Sequence, residues 1–469
     1  MVVGAGVGGL SAAIHARLKG WDVLVVEQSD RCGGKAAGIE ACGFQLDPGP
    51  SIIILPEVYN DVFRAAGRTP ESYLRFQPLN TLSRVFFEGE DPLDLPADQS
   101  VCEDVLRRIA PNDLRAFRAM MSKLDPCVAP LEKAVFGSPV QRPTDMMRPG
   151  LMQFGLRFNP FTNYKRMIDG WFESPLLRAF FYGFPSYSGQ TYHDNAPGAL
   201  LIPYYMLKRG VYFPEGGVRA IPRAFEHLAR ELGVEFRFGV KFEEFVGPAA
   251  FRTSEGDQIG ADAIICNVDK ITATRAEGLK PSMSYFTLHW GLNKALGGLE
   301  HHNLVIPRQF EAGFESLYRG NFPKPPIVYL NATARLDPEA APPGCTNLFA
   351  VVTVPADLPE LNWQARRDEY RDAVLAEVRR SGLSWRDDEV VFERVQDPGT
   401  FAQAHGNYMG SLYGPVQSQR HLSLFPLTNW DPNHPRRAYV GGSVQPGAGL
   451  PMVTLSGRFA VDALARANP

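Results

Sequence analysis

The chain has 469 residues, 45% hydrophobic and 21% charged, an ordinary balance for folded domains that excludes a disordered, collagenous or simple coiled-coil protein. Lys and Arg number 48 against 51 Asp and Glu, a net charge of −3 without acidic or basic blocks, so nucleic-acid binding has no electrostatic support. Six cysteines without a C-x-x-C pair imply neither a zinc site nor a disulfide scaffold and suit a reducing, cytoplasmic compartment, and no apolar run reaches the ~18 residues of a spanning helix.

The first predicted unit is strand, glycine turn, helix, strand, acid. An apolar stub leads into Gly4-x-Gly6-x-x-Gly9, a helical pattern of Leu10, Ala13, Ile14 and Leu18 follows, and 21–26 reads as a buried strand ending in Glu27. Gly4 permits the turn, Gly6 lets a pyrophosphate approach the backbone, and Gly9 lets the helix pack on the strand. The helix start offers free N–H groups to phosphate, and Glu27 stands where an acid accepts hydrogen bonds from an adenosine ribose. Only three residues precede Gly4, short of the ~5–6 of an ordinary strand, which leaves room for a start upstream of this Met1.

A second glycine pair, Gly33-Gly34-Lys35, follows the ribose acid, and Asp47-Pro48-Gly49-Pro50-Ser51 brings a further backbone-exposing turn. Repeated close approaches favour FAD over the shorter reach of NAD. Residues 120–205 mix Met, Pro and aromatics with basic residues, as in Met146-Met147-Arg148 and Trp171-Phe172, a texture that suits either a bilayer surface or core helices with solvated basic ends. Glycines return at Glu215-Gly216-Gly217 before an amphipathic helix carrying Ile221, Phe225, Leu228 and Leu232. Strands are expected over 234–240 and 261–269. His289 lies on a predicted strand. His301 and His302 read as a loop without further ligand-spaced partners, so no metal site is expected. Near the C-terminus a buried strand ends at Gly441-Gly442, and a turn with Gly447 and Gly449 opens a closing helix through Met452 and Val453, whose dipole can stabilise negative charge on a reduced flavin.

The N-terminal stretch from Glu27 to Lys35 resembles the glutathione-reductase-type flavoproteins in their amine-oxidase and phytoene-desaturase branch. The segment Pro446-Gly447-Ala448-Gly449-Leu450-Pro451-Met452-Val453 strongly resembles the C-terminus of the bacterial-type phytoene desaturases, the carotenoid desaturase family. The resemblance covers nearly the whole chain. It implies an α/β fold with a Rossmann-type FAD-binding domain from 1–70, 210–270 and 425–469. A discontinuous α+β substrate domain would comprise 71–119 and 271–424, and a mainly helical, membrane-facing cap 120–209. Glu27 would bind the adenosine ribose, Lys35 the pyrophosphate region and Val240 the adenine, while Gly49 and Pro50 would lie near the flavin, with Gly441, Gly442, Gly449, Met452 and Val453 in the second flavin turn. Ser29 stands where many relatives carry a basic residue, and Gly441-Gly442 where many have Gly-Ala.

The implied reaction removes a hydride and a proton from a –CH2–CH2– unit of a long polyene, either phytoene-type or 3,4-desaturation of a hydroxylated carotenoid. FAD would accept the hydride, a membrane surface supply the substrate, and oxygen or a quinone serve as final acceptor. The protein is expected to be cytoplasmic and peripherally membrane-associated. His289 and His405 are the weak candidates for proton handling; for each, a satisfied structural histidine is the simpler reading. Polyene isomerisation or terminal oxygenation on the same scaffold, a flavin amine oxidase, and a flavin-free prenyl-lipid binder are the competing readings.

Overall fold

The computed structural model describes residues 1–49, 51–416 and 427–467. Pro50 lies outside the described residues.

A five-stranded, wholly parallel sheet runs in the order Arg437–Tyr439, Ile264–Cys266, Val2–Val3, Leu24–Glu27, Glu235–Phe238. Its inner strands are short apolar runs because both faces are covered, which removes any reason for alternation. On one face the helix Val7–Leu18 packs against Ala220–Glu231 and the closing helix Leu450–Ala467. A Cβ at Gly457 would stand 2.5 Å from the Ser11 hydroxyl and 2.6 Å from the Ala12 nitrogen, so the two helices touch backbone to backbone. The other face is covered by the three-stranded antiparallel sheet of Phe242–Gly247, Ala250–Thr253 and Gln258–Gly260, with Phe251 buried against Val3, Val26 and Tyr439.

A seven-stranded sheet runs Val390–Gln396, Ser284–Leu292, Thr346–Val354, Val328–Asn331, His302–Ile306, Thr81–Phe87, Leu93–Pro96, antiparallel except for the pairing of Thr81–Phe87 with His302–Ile306. Alternation divides its faces. Phe286, Leu288 and Trp290 pack with Leu348, Ala350 and Val352 beneath the helix Trp363–Arg380. Tyr285 and Thr287, with Phe349, Val351 and Thr353, face a large internal cavity instead.

The helices Leu114–Phe136, Pro149–Phe158, Tyr164–Asp169, Pro175–Tyr182 and Leu201–Arg209 share a core cluster with Leu82, Val85 and Phe87 of the seven-stranded sheet. The first contains Pro126 and Pro130 in its interior. Pro130 has no N–H to offer the Pro126 carbonyl, and the Gln153 side chain of the crossing helix donates to that carbonyl at 3.1 Å. Most of the basic–aromatic segment is core: Met120, Met121, Phe158, Tyr164, Phe172 and Phe181 are buried in one cluster. Met146, Met147, Met152, Leu156 and Phe161 are its exposed exceptions.

The expectation of a loop at His301 and His302 is not met. Both side chains are buried, and His302 opens a strand paired with Val328–Asn331. The alternating apolar residues Leu304 and Ile306 continue that strand inward, a pattern too short to see beside a charged, glycine-rich approach.

Candidate functional site

The glycine turn joins the parallel sheet to its helix. Gly6 caps Val7–Leu18 without a side-chain hydrogen bond, and no acidic residue occupies the first turn, so the helix start keeps its N–H groups and positive end free toward the cavity. Gly4 takes φ +95° and its N–H donates to Val26, while Gly9 approaches the Gly4 carbonyl so closely that any Cβ would overlap it. The two glycine motifs meet directly: Gly6 bridges Gly33, whose N–H donates to Ala5 at 2.9 Å. Glu27 is buried at the end of its strand. One carboxylate oxygen accepts the Ala5 N–H at 2.7 Å; the other accepts the Ser29 N–H at 3.0 Å and hydroxyl at 2.8 Å. Val240 donates its N–H to the Glu27 carbonyl and lines the same cavity, so its roles in the sheet edge and the cavity wall coincide.

Lys35 opens onto this cavity rather than onto bulk water. Burial holds its ammonium below the ordinary lysine range, with Asp269 partly restoring it, and its Nζ reaches Asn407 at 3.4 Å. Asp269 is itself pushed up by burial, against the N–H of Ile271 and the charge of Lys35. Arg31 is a surface residue beside Asp30, although it borders the cavity mouth. A Cβ on Gly49 would overlap the Lys35 carbonyl, so this third turn packs on the second. At the far side Gly441, φ +111°, donates its N–H to Ser456 at 3.0 Å, and Gly442, Gly449, Met452 and Val453 complete a wall at the start of the closing helix.

The cavity has a volume of about 1110 Å³ and runs from the Glu27 pole, past Lys35 and the C-terminal turn, into an apolar chamber. Ile52, Ile54, Leu131, Val135, Leu201, Ile202, Leu304, Phe314 and Ile327 line that chamber. Glu132 also borders it but is paired with Arg209. The wall between the poles carries Thr287 and Gln396, both buried, whose side-chain oxygens have no hydrogen-bond partner. These features fit a long dinucleotide. An uncapped helix start and Lys35 could hold a diphosphate, Glu27 a ribose, and the second glycine turn a ring system at the neck of the chamber.

The family model described as flavin containing amine oxidoreductase matches residues 7–465. The chain belongs to this flavoprotein family. It is an FAD-dependent oxidoreductase. The flavoenzyme is 30% identical over 99% of its length to a zeta-carotene-forming phytoene desaturase of Myxococcus xanthus, covering 93% of that protein. It is 28% identical to a 4,4'-diapolycopene oxygenase of Methylomonas sp, covering 98% of this chain and 97% of the relative. Among solved structures, a redesigned putrescine oxidase triple mutant superposes with a TM-score of 0.66 over 99% of this chain and 97% of its own, at 13% identity, a likeness of fold alone.

The two candidate histidines of the flavoenzyme differ in place, His289 within the sheet and His405 on the cavity wall. His289 is fully buried on Ser284–Leu292, stacked on Phe349 with ring centroids 4.6 Å apart, and its Nδ1 faces the Arg394 carbonyl at 3.4 Å; burial pushes it down to about 3. His405 ends the helix Pro398–His405, lines the cavity near Lys35, and is pushed down to about 3 by burial and by the charges of Lys35 and Arg394. Both are neutral imidazoles at neutral pH. Among the described residues, no group of three or more His, Cys, Asp or Glu is placed to hold a metal ion.

Three participants escaped the sequence reading. Asn267 lays its amide over the first glycine turn, where a Cβ on Gly6 would stand 2.6 Å from its Nδ2. Its position just after the Ile264–Cys266 strand was the available signal, since that strand neighbours Val2–Val3. Arg394 brings a guanidinium to the cavity with no hydrogen bond or ion pair among the described residues. Tyr329 turns its phenol into the cavity with His302 behind it at 2.7 Å. The latter two arise from strand pairings that no local pattern announces.

Proposed function

We propose that the protein is an FAD-dependent carotenoid desaturase that removes a hydride and a proton from a –CH2–CH2– unit of a long polyene. The observation that carries the reading is the single continuous cavity, with dinucleotide-fitting turns at one end and a chamber of aliphatic and aromatic side chains at the other. FAD supplies the hydride acceptor. Gly4, Gly6, Lys35 and the start of Val7–Leu18 would hold its diphosphate, Glu27 its ribose and Val240 its adenine; Gly9 acts by letting helix and strand approach. Gly49, Gly441, Gly442, Gly449, Met452 and Val453 would frame the flavin. The apolar chamber orients the polyene and excludes water from the charge that hydride loss leaves on it. Among the described residues, the carboxylate that borders the chamber, Glu132, is held by Arg209 and so offers no free counter-charge to an ammonium substrate.

The parallel sheet with its helices is the Rossmann-type unit of this reading, assembled from 1–70, 210–270 and 425–469. The seven-stranded sheet belongs to the substrate domain of 71–119 and 271–424, and the helices within 120–209 form the cap. Among the described residues no helix is long and apolar enough to cross a membrane. Membrane contact is proposed through the exposed group Met147, Leu156 and Phe161, the last two 85% and 83% exposed, flanked by exposed Arg157 and Arg166. Helix Pro149–Phe158, which carries Leu156, crosses Leu114–Phe136, whose Leu131, Val135 and Phe136 line the chamber, so a polyene leaving lipid has a short path inward. Oxygen or a quinone would reoxidise the flavin.

The test is expression in cells that accumulate successive acyclic carotenoid precursors, followed by product spectra and masses. Lengthened conjugation with loss of two hydrogens supports the reading. A product that gains oxygen without losing hydrogens from a –CH2–CH2– unit would favour terminal oxygenation instead; the Methylomonas relative is named an oxygenase.

A further inference from the structure

Desaturation releases a proton as well as a hydride, and the cavity holds an arrangement suited to take it. Tyr329 lies on Val328–Asn331, opposite Val351 and Leu304 on the two neighbouring strands, and its phenol lines the cavity. His302 Nδ1 is 2.7 Å from the phenol oxygen; the imidazole is 1% exposed and its Nε2 has no partner. Ser51, two residues beyond Gly49, also lines the cavity, and its hydroxyl and the Asn331 side chain face the same phenol. Two other phenols at the cavity, Tyr285 and Tyr413, bond to each other at 2.5 Å.

We propose that Tyr329 is a catalytic residue of the desaturation and that His302, acting through it, completes a proton relay. The argument rests on the desaturase reading. One carbon of the –CH2–CH2– unit gives up a hydrogen with its electron pair to the oxidised flavin. The adjacent C–H pair becomes the new double bond, its proton passes to the Tyr329 oxygen, and the tyrosine's own proton passes to His302 Nδ1. Substrate thus loses one hydride and one proton; flavin gains the hydride and the imidazole gains the proton, which returns through Tyr329 once product has left. A weak acceptor suffices, because a C–H beside a delocalised cation is strongly acidic. Burial holds the phenol above and the imidazole well below their ordinary values, so the resting pair is neutral throughout neutral pH, and the imidazolium formed in the relay is short-lived and hands its proton back.

The test uses the FAD-loaded full chain with a C40 polyene in liposomes, under anaerobic single-turnover conditions in 18O-labelled water. Tyr329→Phe and His302→Gln are compared with wild type; glutamine keeps a hydrogen-bond partner for the phenol but no basic nitrogen. Both variants should keep wild-type flavin content and lose desaturated product by about 100-fold or more. The product that remains should be enriched in isomerised polyene and in alcohol carrying water-derived 18O, since a cation denied a base reverts or is captured by water. A merely structural pair would not shift that product distribution. Should Tyr329→Phe fail to hold flavin, His302→Gln decides alone. A flavin-loaded variant that desaturates within threefold of wild type, with unchanged products, overturns the relay. A wild-type enzyme whose flavin is bleached by no polyene would sink the desaturase reading instead.

Discussion

Replacing Gly6 with valine should leave a folded chain that no longer retains FAD. A Cβ at Gly6 would stand 2.6 Å from Asn267 Nδ2, about 0.8 Å inside the 3.4 Å at which ordinary contact begins. Because the obstacle is the end of a side chain, Asn267 can swing aside and the fold survives. The two further methyl groups then project over the uncapped start of Val7–Leu18, where the diphosphate would bind. Hydrogen bonds to a charged group are each worth about 1.5–3 kcal/mol, so losing two costs at least ~3 kcal/mol, or about 100-fold in Kd. Gly9→Ala should behave differently, since its Cβ overlaps the backbone carbonyl of Gly4 and neither helix nor strand can retreat; that variant should lose stability before it loses cofactor. Equilibrium dialysis with FAD, alongside near-UV circular dichroism, separates the two outcomes. Wild-type FAD affinity in Gly6→Val would refute the placement of the diphosphate.

Flavin reduction by bound substrate should be nearly independent of pH between 6 and 8, because His289 and His405 titrate near 3; His289→Ala and His405→Ala should each slow it by less than the ~100-fold expected for a true general base. A one-proton slope that vanishes in either variant would contradict this. Stability should follow the opposite logic. An unfolded imidazole titrates near 6.5, whereas folded His289 and His301 titrate at about 3 and about 4, so between these values the unfolded chain binds protons that the fold refuses. The stability contributed by the neutral buried forms is complete above pH 6.5 and is lost, at up to ~1.4 kcal/mol per histidine per pH unit, as pH falls toward 4. The Tm should therefore decline from pH 7 to 4.5, and His289→Gln with His301→Asn should flatten the decline; an unchanged slope would argue that carboxylates dominate. Leu156→Ser with Phe161→Ser should reduce flotation with anionic liposomes by about 100-fold, taking ~1.5 kcal/mol or more per side chain removed from lipid, and leave flavin content intact. Equal flotation would move the membrane contact elsewhere.

The dinucleotide turns were legible because each is a local device, a glycine or an acid at fixed spacing from a strand end. The strands themselves were drawn too long: 234–240 shortens to Glu235–Phe238 and 261–269 to Ile264–Cys266, because the flanking residues turn toward the cavity wall, Val240 while still bonding its N–H to the Glu27 carbonyl. Texture could not divide the helical segment. Phe158 is 3% exposed and Phe161 83%, yet only two residues separate them in a run of similar composition; helix crossing, set by Gly150 against the Pro130 carbonyl, makes the difference. Tyr329 and His302 are 27 residues apart and meet through antiparallel pairing, while Lys35 meets Arg394 and His405 from the opposite end of the chain. Non-local chemistry of this kind leaves no spacing to read.

The central claim is that the turns and the apolar chamber act on one substrate, with a polyene delivering its hydride to the bound flavin. Anaerobic stopped-flow mixing of the FAD-loaded protein with liposomes carrying an acyclic C40 polyene tests it most directly. Bleaching of the flavin absorbance, matched mole for mole by gain of a conjugated double bond in the polyene, is the result expected. A flavin that stays oxidised with polyenes and is reduced by a soluble amine would contradict the account.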